Sequence, residues 1–311
     1  MNRPEFELID WIRARVTDRW PVTLGIGDDA ACLHPAADRE TLVAVDMLME
    51  GVHFTFPPAT AALAGRKALA VNLSDIAAMA GRPTAAFVSV ALPNGRGMDF
   101  ARDVHAGIIQ LADEYGVVIA GGDTNSWNGP LVISVTVIGE PLGLQPVCRR
   151  GALPGDWLFV TGAVGGSLPS SRHLTFSPRL AEVKRLAELV SLHAMIDVSD
   201  GLAADLHHIL KASAVGALLE AAKIPLTATV RQAADGRSPL LQGLSDGEDF
   251  ELLFAVSPED GRRLVAEWRE ETPVTHIGEI TESLECRLRQ TDGQIEPLAA
   301  IGWTHRLGAG V

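Results

Sequence analysis

Acidic residues in apolar, small-residue surroundings are the feature of this sequence that suggests chemistry. They stand beside Gly, Ala or large apolar residues in GIGDDAA, LVAVDML, VNLSDIAAM, IAGGDT, MIDVSDGL and SDGEDFELLF. A carboxylate in such surroundings is poorly solvated, and its burial is costly unless a cation compensates the charge. The only basic residues within a few positions are Arg66, Lys67 and Arg82. Because hard divalent cations take carboxylate and carbonyl oxygens as ligands, the pattern predicts a bound ion such as Mg²⁺.

Glycine-rich segments accompany most of these acids, as in GIGDD, AGGDT, VSDG and SDGED. Glycine lets backbone N–H groups approach phosphate oxygens closely, so these segments together with a divalent cation indicate a polyphosphate ligand. The sequence contains neither a GxxxxGK[ST] P-loop nor the HRD and DFG motifs of protein kinases, which excludes both of those folds. Taken singly, each acid also fits a helix cap or a turn, and it is their number that favours a metal and phosphate site.

Helices and strands alternate along the chain and must position these acids. An amphipathic helix at about 3–16 and a long, buried, Ala-rich helix at 60–81 precede strands at 85–92 and 131–139, and a short strand is expected at 117–120. A stretch rich in Pro and Gly at 140–156 predicts a domain boundary. We therefore expect a mixed α+β fold with an N-terminal domain at 1–145 and a C-terminal domain at 146–311.

Composition excludes several classes of partner. The 311 residues contain 26 Lys+Arg and 39 Asp+Glu, for a formal net charge of −13, which disfavours nucleic acid and anionic membranes. The N-terminal residues lack a signal-peptide pattern, and no run of apolar residues is long enough for a membrane span. The sequence shows no metal or disulfide spacing among Cys32, Cys148 and Cys286, so we predict a reduced, cytoplasmic protein. Each cysteine is expected to be a small buried apolar residue.

The acidic motifs, taken in order, resemble those of the thiamine-monophosphate kinase family, within the superfamily of aminoimidazole ribonucleotide synthetase and selenophosphate synthetase. The resemblance rests on GIGDDAA, the stretch from Asp46 to Phe54, KALAVNLSDIAAMAGRP, GGDT, RRGALPGD, IDVSDGLAADLHHI and GEDFELLF. It implies a two-domain fold like aminoimidazole ribonucleotide synthetase and a homodimer formed through the N-terminal sheets. The implied activity is ATP-dependent phosphorylation of thiamine monophosphate to thiamine diphosphate, the last step of thiamine diphosphate biosynthesis.

The resemblance also implies roles for individual residues. Several Mg²⁺ ions would be held by Asp29, Asp46, Asp75, Asp123, Asp197 and Asp200. The implied ATP contacts are Gly121 and Gly122, as a turn, with Arg149 and Ser199. The implied substrate contacts are His53, Glu248 and Trp303.

The sequence departs from the family pattern at three places. Ala44 and Val45 precede Asp46 where a hydroxyl residue is usual, the segment at 162–178 is shorter than usual, and DGED replaces GGED. These departures affect the expected number of metals and nucleotide affinity. Two alternatives remain open. One is another ATP-using member of the superfamily, and the other, suggested by the lost hydroxyl at 44 and 45, is a noncatalytic module that binds Mg²⁺ and nucleotide.

Phosphoryl transfer to a phosphate is consistent with the residue types present. The second pKa of a phosphate monoester is about 6, so the acceptor is largely ionised at pH 7 and requires no general base. The reaction depends mainly on positioning and charge neutralisation. We therefore expect no catalytic acid, base or nucleophile.

Overall fold

Two units make up the chain in the computed structural model, which describes residues 4–27, 30–232 and 236–304. One unit holds the residues up to Pro146 together with Leu174–Leu180, and the other holds Val147–His173 and the residues from Ala181 onward. Each contains both helices and a sheet, so the predicted mixed α+β class is confirmed. Among the described residues, no helix is both long and apolar enough to cross a bilayer.

The first unit is built around a four-stranded sheet. Up to residue 141 the elements are α1 (Pro4–Arg13), β1 (Val22–Leu24), β2 (Cys32–Leu33), β3 (Leu42–Met49), α2 (Ala61–Ala78), β4 (Gly81–Pro93), α3 (Gly97–Tyr115), β5 (Val118–Trp127) and β6 (Val132–Pro141). The sheet has the order β3-β6-β4-β5, with β4 and β5 parallel and the other neighbours antiparallel, while β1 and β2 form a separate pair. β3 and β5 are therefore the edge strands.

The two long helices of this unit pack closely on each other and on the sheet. The Thr60 hydroxyl accepts a hydrogen bond from the Leu63 N–H and begins α2, as expected for an N-cap. The Ala-rich sequence of α2 lets α3 approach, and a Cβ at Gly107 of α3 would lie 1.9 Å from the Ala62 carbonyl oxygen. The predicted buried helix at 60–81 is thus present and supports the inner face of β3.

Strand β5 is longer than the strand predicted at 117–120, because it continues through the GGDT motif. Gly121 and Gly122 are therefore not in a turn, contrary to the interpretation from sequence. A Cβ at Gly122 would lie 1.9 Å from the Val88 carbonyl oxygen, so only glycine permits this close approach of β5 to β4. The two glycines thus allow the strands to pair. Because glycine has a low β propensity, the sequence predicted that the strand would end before them.

The second unit is built around a seven-stranded sheet. From residue 157 onward the elements are β7 (Trp157–Thr161), a 3-10 turn (Arg172–Leu174), α4 (Leu180–Leu189), β8 (Leu192–Asp197), α5 (Leu202–Ser213), β9 (Gly216–Glu220), a second 3-10 turn (Ala221–Lys223), α6 (Ala228–Gln232), α7 (Pro239–Ser245), β10 (Leu252–Val256), α8 (Pro258–Glu267), β11 (Val274–Thr281), β12 (Cys286–Arg289) and β13 (Ile295–Pro297). The strand order is β13-β12-β9-β11-β7-β10-β8, antiparallel except for the pair β12 and β9.

Alternate residues of this sheet form two apolar layers. Leu158 and Val160 of β7 belong to the core that includes Leu206 of α5. On the same strand, Phe159 has the opposite orientation and stacks on Phe254 of β10, with 5.6 Å between the ring centroids. The loop between β8 and α5 therefore starts from the buried end of β8.

The cysteines only partly match their predicted environment. All three are free thiols. Cys286 is buried as expected, Cys148 is half-buried, and Cys32 is exposed, so the prediction of a buried apolar residue is wrong for Cys32.

Candidate active site

Asp46 and Asp75 are brought into contact by the alternation of β3 and the packing of α2. Along β3, Leu42 and Leu48 are buried and Asp46 shares their face, while the odd-numbered residues of the other face are exposed. The carboxyl groups of Asp46 and Asp75 form a hydrogen bond. Burial raises the pKa of Asp46, and the Asp75 hydrogen bond and the His53 charge oppose that rise. The two acids, predicted separately from sequence, thus form one pair.

The donor set around this pair fits a divalent cation. Two carboxyl groups in contact must share a proton or bind a cation, because two adjacent negative charges repel each other. One turn earlier on α2, the buried Oδ1 of Asn72 accepts no hydrogen bond from any described residue. This leaves an unused amide oxygen in the helix that carries Asp75. Carboxylate and amide oxygens are the ligands that Mg²⁺ takes, so the residues present are compatible with the predicted ion.

Asp123 lies at the opposite edge of the same sheet. Asp46 pairs with Val135, Val135 with Val88, and Val88 with Gly122, so Gly122 is level with Asp46, and Asp123 lies one residue further along, three strand spacings away. At about 4.8 Å per spacing the two strands are roughly 14 Å apart. The exposed Asp123 accepts a hydrogen bond from the Asn125 amide over 2.8 Å. Asp29, the remaining acid predicted for this half of the chain, lies outside the described residues.

His53 occupies the turn that follows β3. Its Nδ1 accepts a hydrogen bond from the Met49 N–H over 3.0 Å, so a neutral ring carries its proton on Nε2. The Nζ of Lys67, a fully buried residue of α2, donates to the His53 carbonyl oxygen over 2.6 Å. The turn is thus tied to the same helix that carries Asp75. Sequence analysis did not identify Lys67 as a supporting residue.

In the second unit, the predicted acids Asp197 and Asp200 lie at the end of β8 and in the loop before α5. The buried Asp205 accepts hydrogen bonds on Oδ2 from the N–H groups of Asp200 (3.0 Å) and Gly201 (3.1 Å). Burial, with the charge of Asp197 next in size, raises the pKa of Asp205 to about 8. Asp200, Asp205 and His208 each offer one ligand atom, and these atoms lie within 4.8 Å of one another.

Asp205 is a site residue that sequence analysis missed. It stands in the first turn of α5, where an acid ordinarily needs no explanation beyond the helix dipole. The available signal was the glycine N-cap Gly201, which has no side chain to cap the helix and leaves that function to another residue.

The predicted substrate residues Glu248 and Trp303 both contact this loop through their backbones. The N–H of Trp303 donates to the Asp200 carbonyl oxygen over 2.8 Å, and the N–H of Glu248 donates to the Ser199 carbonyl oxygen over 2.7 Å. The Glu248 carboxylate lies 3.0 Å from Nδ1 of His173. The structure thus brings together four predicted site residues, namely Ser199, Asp200, Glu248 and Trp303.

Arg149 is not part of that group. The Ser213 hydroxyl donates to the Arg149 carbonyl oxygen over 3.3 Å, which places the backbone of Arg149 at the C-terminal end of α5. Ser199 and Asp200 lie before the N-terminal end of this 12-residue helix, which is about 18 Å long.

Two buried acids, Asp249 of the DGED segment and Glu251 beyond it, are compensated by an arginine, which corrects the expectation that a divalent cation meets every such acid. Arg172 donates through Nη2 to Asp249 Oδ1 (2.6 Å) and through Nη1 to Glu251 Oε1 (3.1 Å). Asp249 also accepts from the Gly165 N–H over 2.6 Å, and Glu251 accepts from the Thr161 hydroxyl over 2.7 Å. Arg172 was missed because it is 77 residues from Asp249 in the sequence.

Comparison with known proteins gives matches over nearly the whole chain. Residues 27–140 match the N-terminal domain family of AIR synthase related proteins, and residues 154–289 match the corresponding C-terminal domain family. The thiamine-monophosphate kinase of Rhodopirellula baltica is 40% identical over 311 residues, a match that covers 97% of each chain.

Solved structures agree with these matches. The crystal structure of thiamine-monophosphate kinase from Stenotrophomonas maltophilia superposes with a TM-score of 0.80 at 35% identity, covering 93% of this chain and 97% of that one. AaThiL complexed with AMPPCP and TMP superposes with a TM-score of 0.75 at 29% identity, covering 98% and 99%.

Proposed function

The chain belongs to the thiamine-monophosphate kinase family, and we propose that it transfers the γ-phosphoryl group of ATP onto the phosphate of thiamine monophosphate, giving thiamine diphosphate. The Asp46 and Asp75 pair carries the proposal from the structure, because two acids held in contact must share a proton or bind a cation. A reaction that joins two polyanions requires such a cation. AaThiL, which is complexed with AMPPCP and TMP, supports the assignment of donor and acceptor.

Mg²⁺ is the cation that we assign to these acids. Asp46 and Asp75 would hold it in the first unit, with Asp29 and Asp123 as further ligands, and Asp197 and Asp200 would hold ions in the second. The separation of Asp46 from Asp123, roughly 14 Å of sheet, favours more than one ion. When bound, Mg²⁺ supplies charge neutralisation for the donor and acceptor phosphates. Since Ala44 and Val45 carry no hydroxyl, any ligand from these two residues would be a backbone carbonyl.

The residues of the chain bind and orient the substrates and need not move a proton. The acceptor phosphate is already ionised near pH 7, so no residue is assigned as a general base. His53 offers Nε2–H as a donor, because its Nδ1 is engaged by Met49. Glu248 offers a carboxylate to the cationic thiazolium of the acceptor, and Trp303, which is half exposed, offers a ring face.

The nucleotide contacts are assigned to backbone and polar groups. Gly121 and Gly122 present the open backbone of an edge strand, and Ser199 presents a hydroxyl in the loop before α5. Arg149 is the proposed phosphate-contacting arginine, and its side chain is exposed. In this scheme residues 1–145 bind ATP and Mg²⁺ and form the dimer, while residues 146–311 complete the nucleotide and substrate site.

A homodimer is proposed through the outer face of β3. Val43, Val45, Met47 and Met49 expose large apolar side chains along one edge strand, with Val45 60% exposed. A contiguous apolar stripe of this kind is a common feature of subunit interfaces. Val45→Asp is expected to give a monomer by light scattering, whereas a dimer that persists in this variant would place the interface elsewhere.

The substrates and the reduced thiols fit a cytoplasmic location, and the net charge of −13 fits the absence of nucleic acid and anionic membranes among its partners.

A coupled assay with ATP, Mg²⁺ and thiamine monophosphate tests the proposed reaction. Thiamine diphosphate is expected only when all three are present. If none forms at any Mg²⁺ concentration, the assignment is wrong. Calorimetry that shows tight ATP and Mg²⁺ binding without turnover would instead identify a binding module.

A further inference from the structure

A short 3-10 turn, Arg172–Leu174, places two basic side chains against the DGEDFE segment. Arg172 binds Asp249 and Glu251, as described above. Its neighbour His173 lies with Nδ1 3.0 Å from Oε2 of Glu248. Two neighbouring basic residues therefore hold three acids of this segment. Arg172 contacts the two buried acids, and His173 contacts the partly exposed Glu248.

Glu248 is held in an unusual conformation. Its φ is +63°, and φ of the nearby Phe250 is +52°, a region that side-chain-bearing residues adopt only when the surroundings impose it. Its N–H donates to Ser199, so the backbone is fixed to the loop that carries Asp200. The Glu248 side chain is 20% exposed and that of His173 is 7% exposed. The carboxylate is thus buried on the side of His173 and open on another.

We propose that His173 is a positioning residue for the acceptor, which it serves by holding the Glu248 carboxylate in the orientation that meets the thiazolium cation. The inference rests on the proposed function, in which Glu248 contacts that cation. A glutamate side chain loses rotamer freedom when it is fixed. His173 fixes Glu248 already in the folded protein, so this loss of rotamer freedom does not accompany binding of the acceptor. The affinity for the acceptor is therefore higher than it would be if Glu248 were free to rotate before binding.

This role makes a prediction that differs between the two substrates. His173→Ala is expected to raise KM for thiamine monophosphate about tenfold while KM for ATP changes less than twofold and kcat is nearly constant. His173→Asn is expected to restore most of the acceptor affinity, because its amide nitrogen occupies nearly the position of imidazole Nδ1. Combining His173→Ala with Glu248→Gln is expected to add little to the effect of Glu248→Gln alone, since the two residues act as one unit.

His193→Ala is the matched control. His193 also binds a carboxylate in the second unit, with Nδ1 2.8 Å from Oδ2 of Asp156. It stands at the start of β8, whereas Glu248 is bound to the loop that follows the end of this strand. Both KM values are expected to be unchanged. This comparison distinguishes loss of positioning from the general effect of breaking a histidine–carboxylate pair.

The proposal is overturned if His173→Ala binds the acceptor normally, or if both KM values rise together and His173→Asn fails to restore them. Lack of turnover in the wild-type chain would refute the proposed function instead. Calorimetric binding of thiamine monophosphate, with the same tenfold weakening expected in His173→Ala, decides the positioning role without reference to turnover.

Discussion

Asp46 of β3 and Asp75 of α2 share a hydrogen bond between their carboxyl groups. The strand and the helix are separated by the turn that contains His53, and the Lys67 ammonium ties that turn back to α2. The pair therefore depends on local chain folding within the first unit. The alternation of β3 and the composition of α2 are properties of short sequence stretches, whereas the contact between the two acids requires the packing of α2 on β3.

Replacing Asp75 by Asn is expected to abolish turnover without loss of the fold. The amide preserves a hydrogen bond to Asp46 but removes the charge that a metal requires. The rate of thiamine diphosphate formation measures the loss, and circular dichroism measures the fold. Asp103→Asn, which changes an exposed acid of α3, is the control and is expected to retain the wild-type rate. A near-normal rate in Asp75→Asn would remove this residue from the site.

Replacing Asp205 by Ala is expected to raise the Mg²⁺ concentration for half-maximal rate about tenfold or more, the usual effect of removing a group that orients a metal ligand. The substitution leaves the N–H groups of Asp200 and Gly201 without their acceptor. Asp205→Asn retains an acceptor oxygen and is expected to have a smaller effect. A Mg²⁺ titration of the two variants measures the difference. An unchanged midpoint in Asp205→Ala would show that the loop between β8 and α5 does not need Asp205 to orient its metal ligands.

Replacing Arg172 by Met is expected to destabilise the second unit by about 3–5 kcal/mol, because it leaves buried carboxylates without their cation. The Asp249 side chain is fully buried and that of Arg172 is 26% exposed. Arg237→Met breaks the more exposed pair with Asp246 and is expected to cost at most about 1 kcal/mol. Urea unfolding of both variants measures these changes in the free energy of unfolding. Equal losses in the two would contradict the assignment of Arg172 as a buried ion-pair residue.

The stability of the second unit is expected to depend on pH through Asp249. Burial, which outweighs the opposing Arg172 charge, raises the pKa of Asp249 from 3.8 to about 7. Because the folded state binds this proton more tightly, the contribution to stability is fully present below about pH 4 and is lost as pH rises through about 7. Unfolding free energies measured from pH 4 to 8 are expected to lose this slope in Asp249→Asn. A slope that persists in the variant would assign it to another group.

Thiol reagents are expected to distinguish the cysteines. Burial raises the pKa of the Cys286 thiol to about 12, so it remains protonated and inaccessible, whereas Cys32 is exposed. Mass spectrometry after maleimide treatment of the native protein should find label on Cys32 and none on Cys286. Denaturation before labelling is expected to make Cys286 react, which controls for reagent competence.

Sequence reasoning succeeded where a pattern repeats within one element. The apolar spacing of α1, the Ala-rich composition of α2 and the run at 131–139 predicted elements that the structure contains. It failed where a partner lies far along the chain, as with Arg172 and Asp249, because local composition carries no information on that contact. The length of β5 was underestimated for a related reason, since glycine is unfavourable in strands until a neighbouring backbone requires it.

The candidate site could be predicted in composition more than in arrangement. Asp46 and Asp75 were recognised as separate acids, but their contact depends on the packing of α2 on β3, which no motif encodes. Asp205 and His173 were missed because each acts through another residue, and residue type alone does not reveal such support.

The alternation of β3 has a consequence for how this chain tolerates change. Its odd-numbered residues from 43 to 49 are exposed, while Asp46 is on the opposite face. Deleting one residue between Leu42 and Val45 would shift the register and exchange the two faces, exposing the acid and burying the stripe against α2. Point substitutions affect one face at a time, whereas insertions and deletions of one residue would disrupt both. We therefore expect length variation among homologues to be absent from this strand and confined to the segments that flank it.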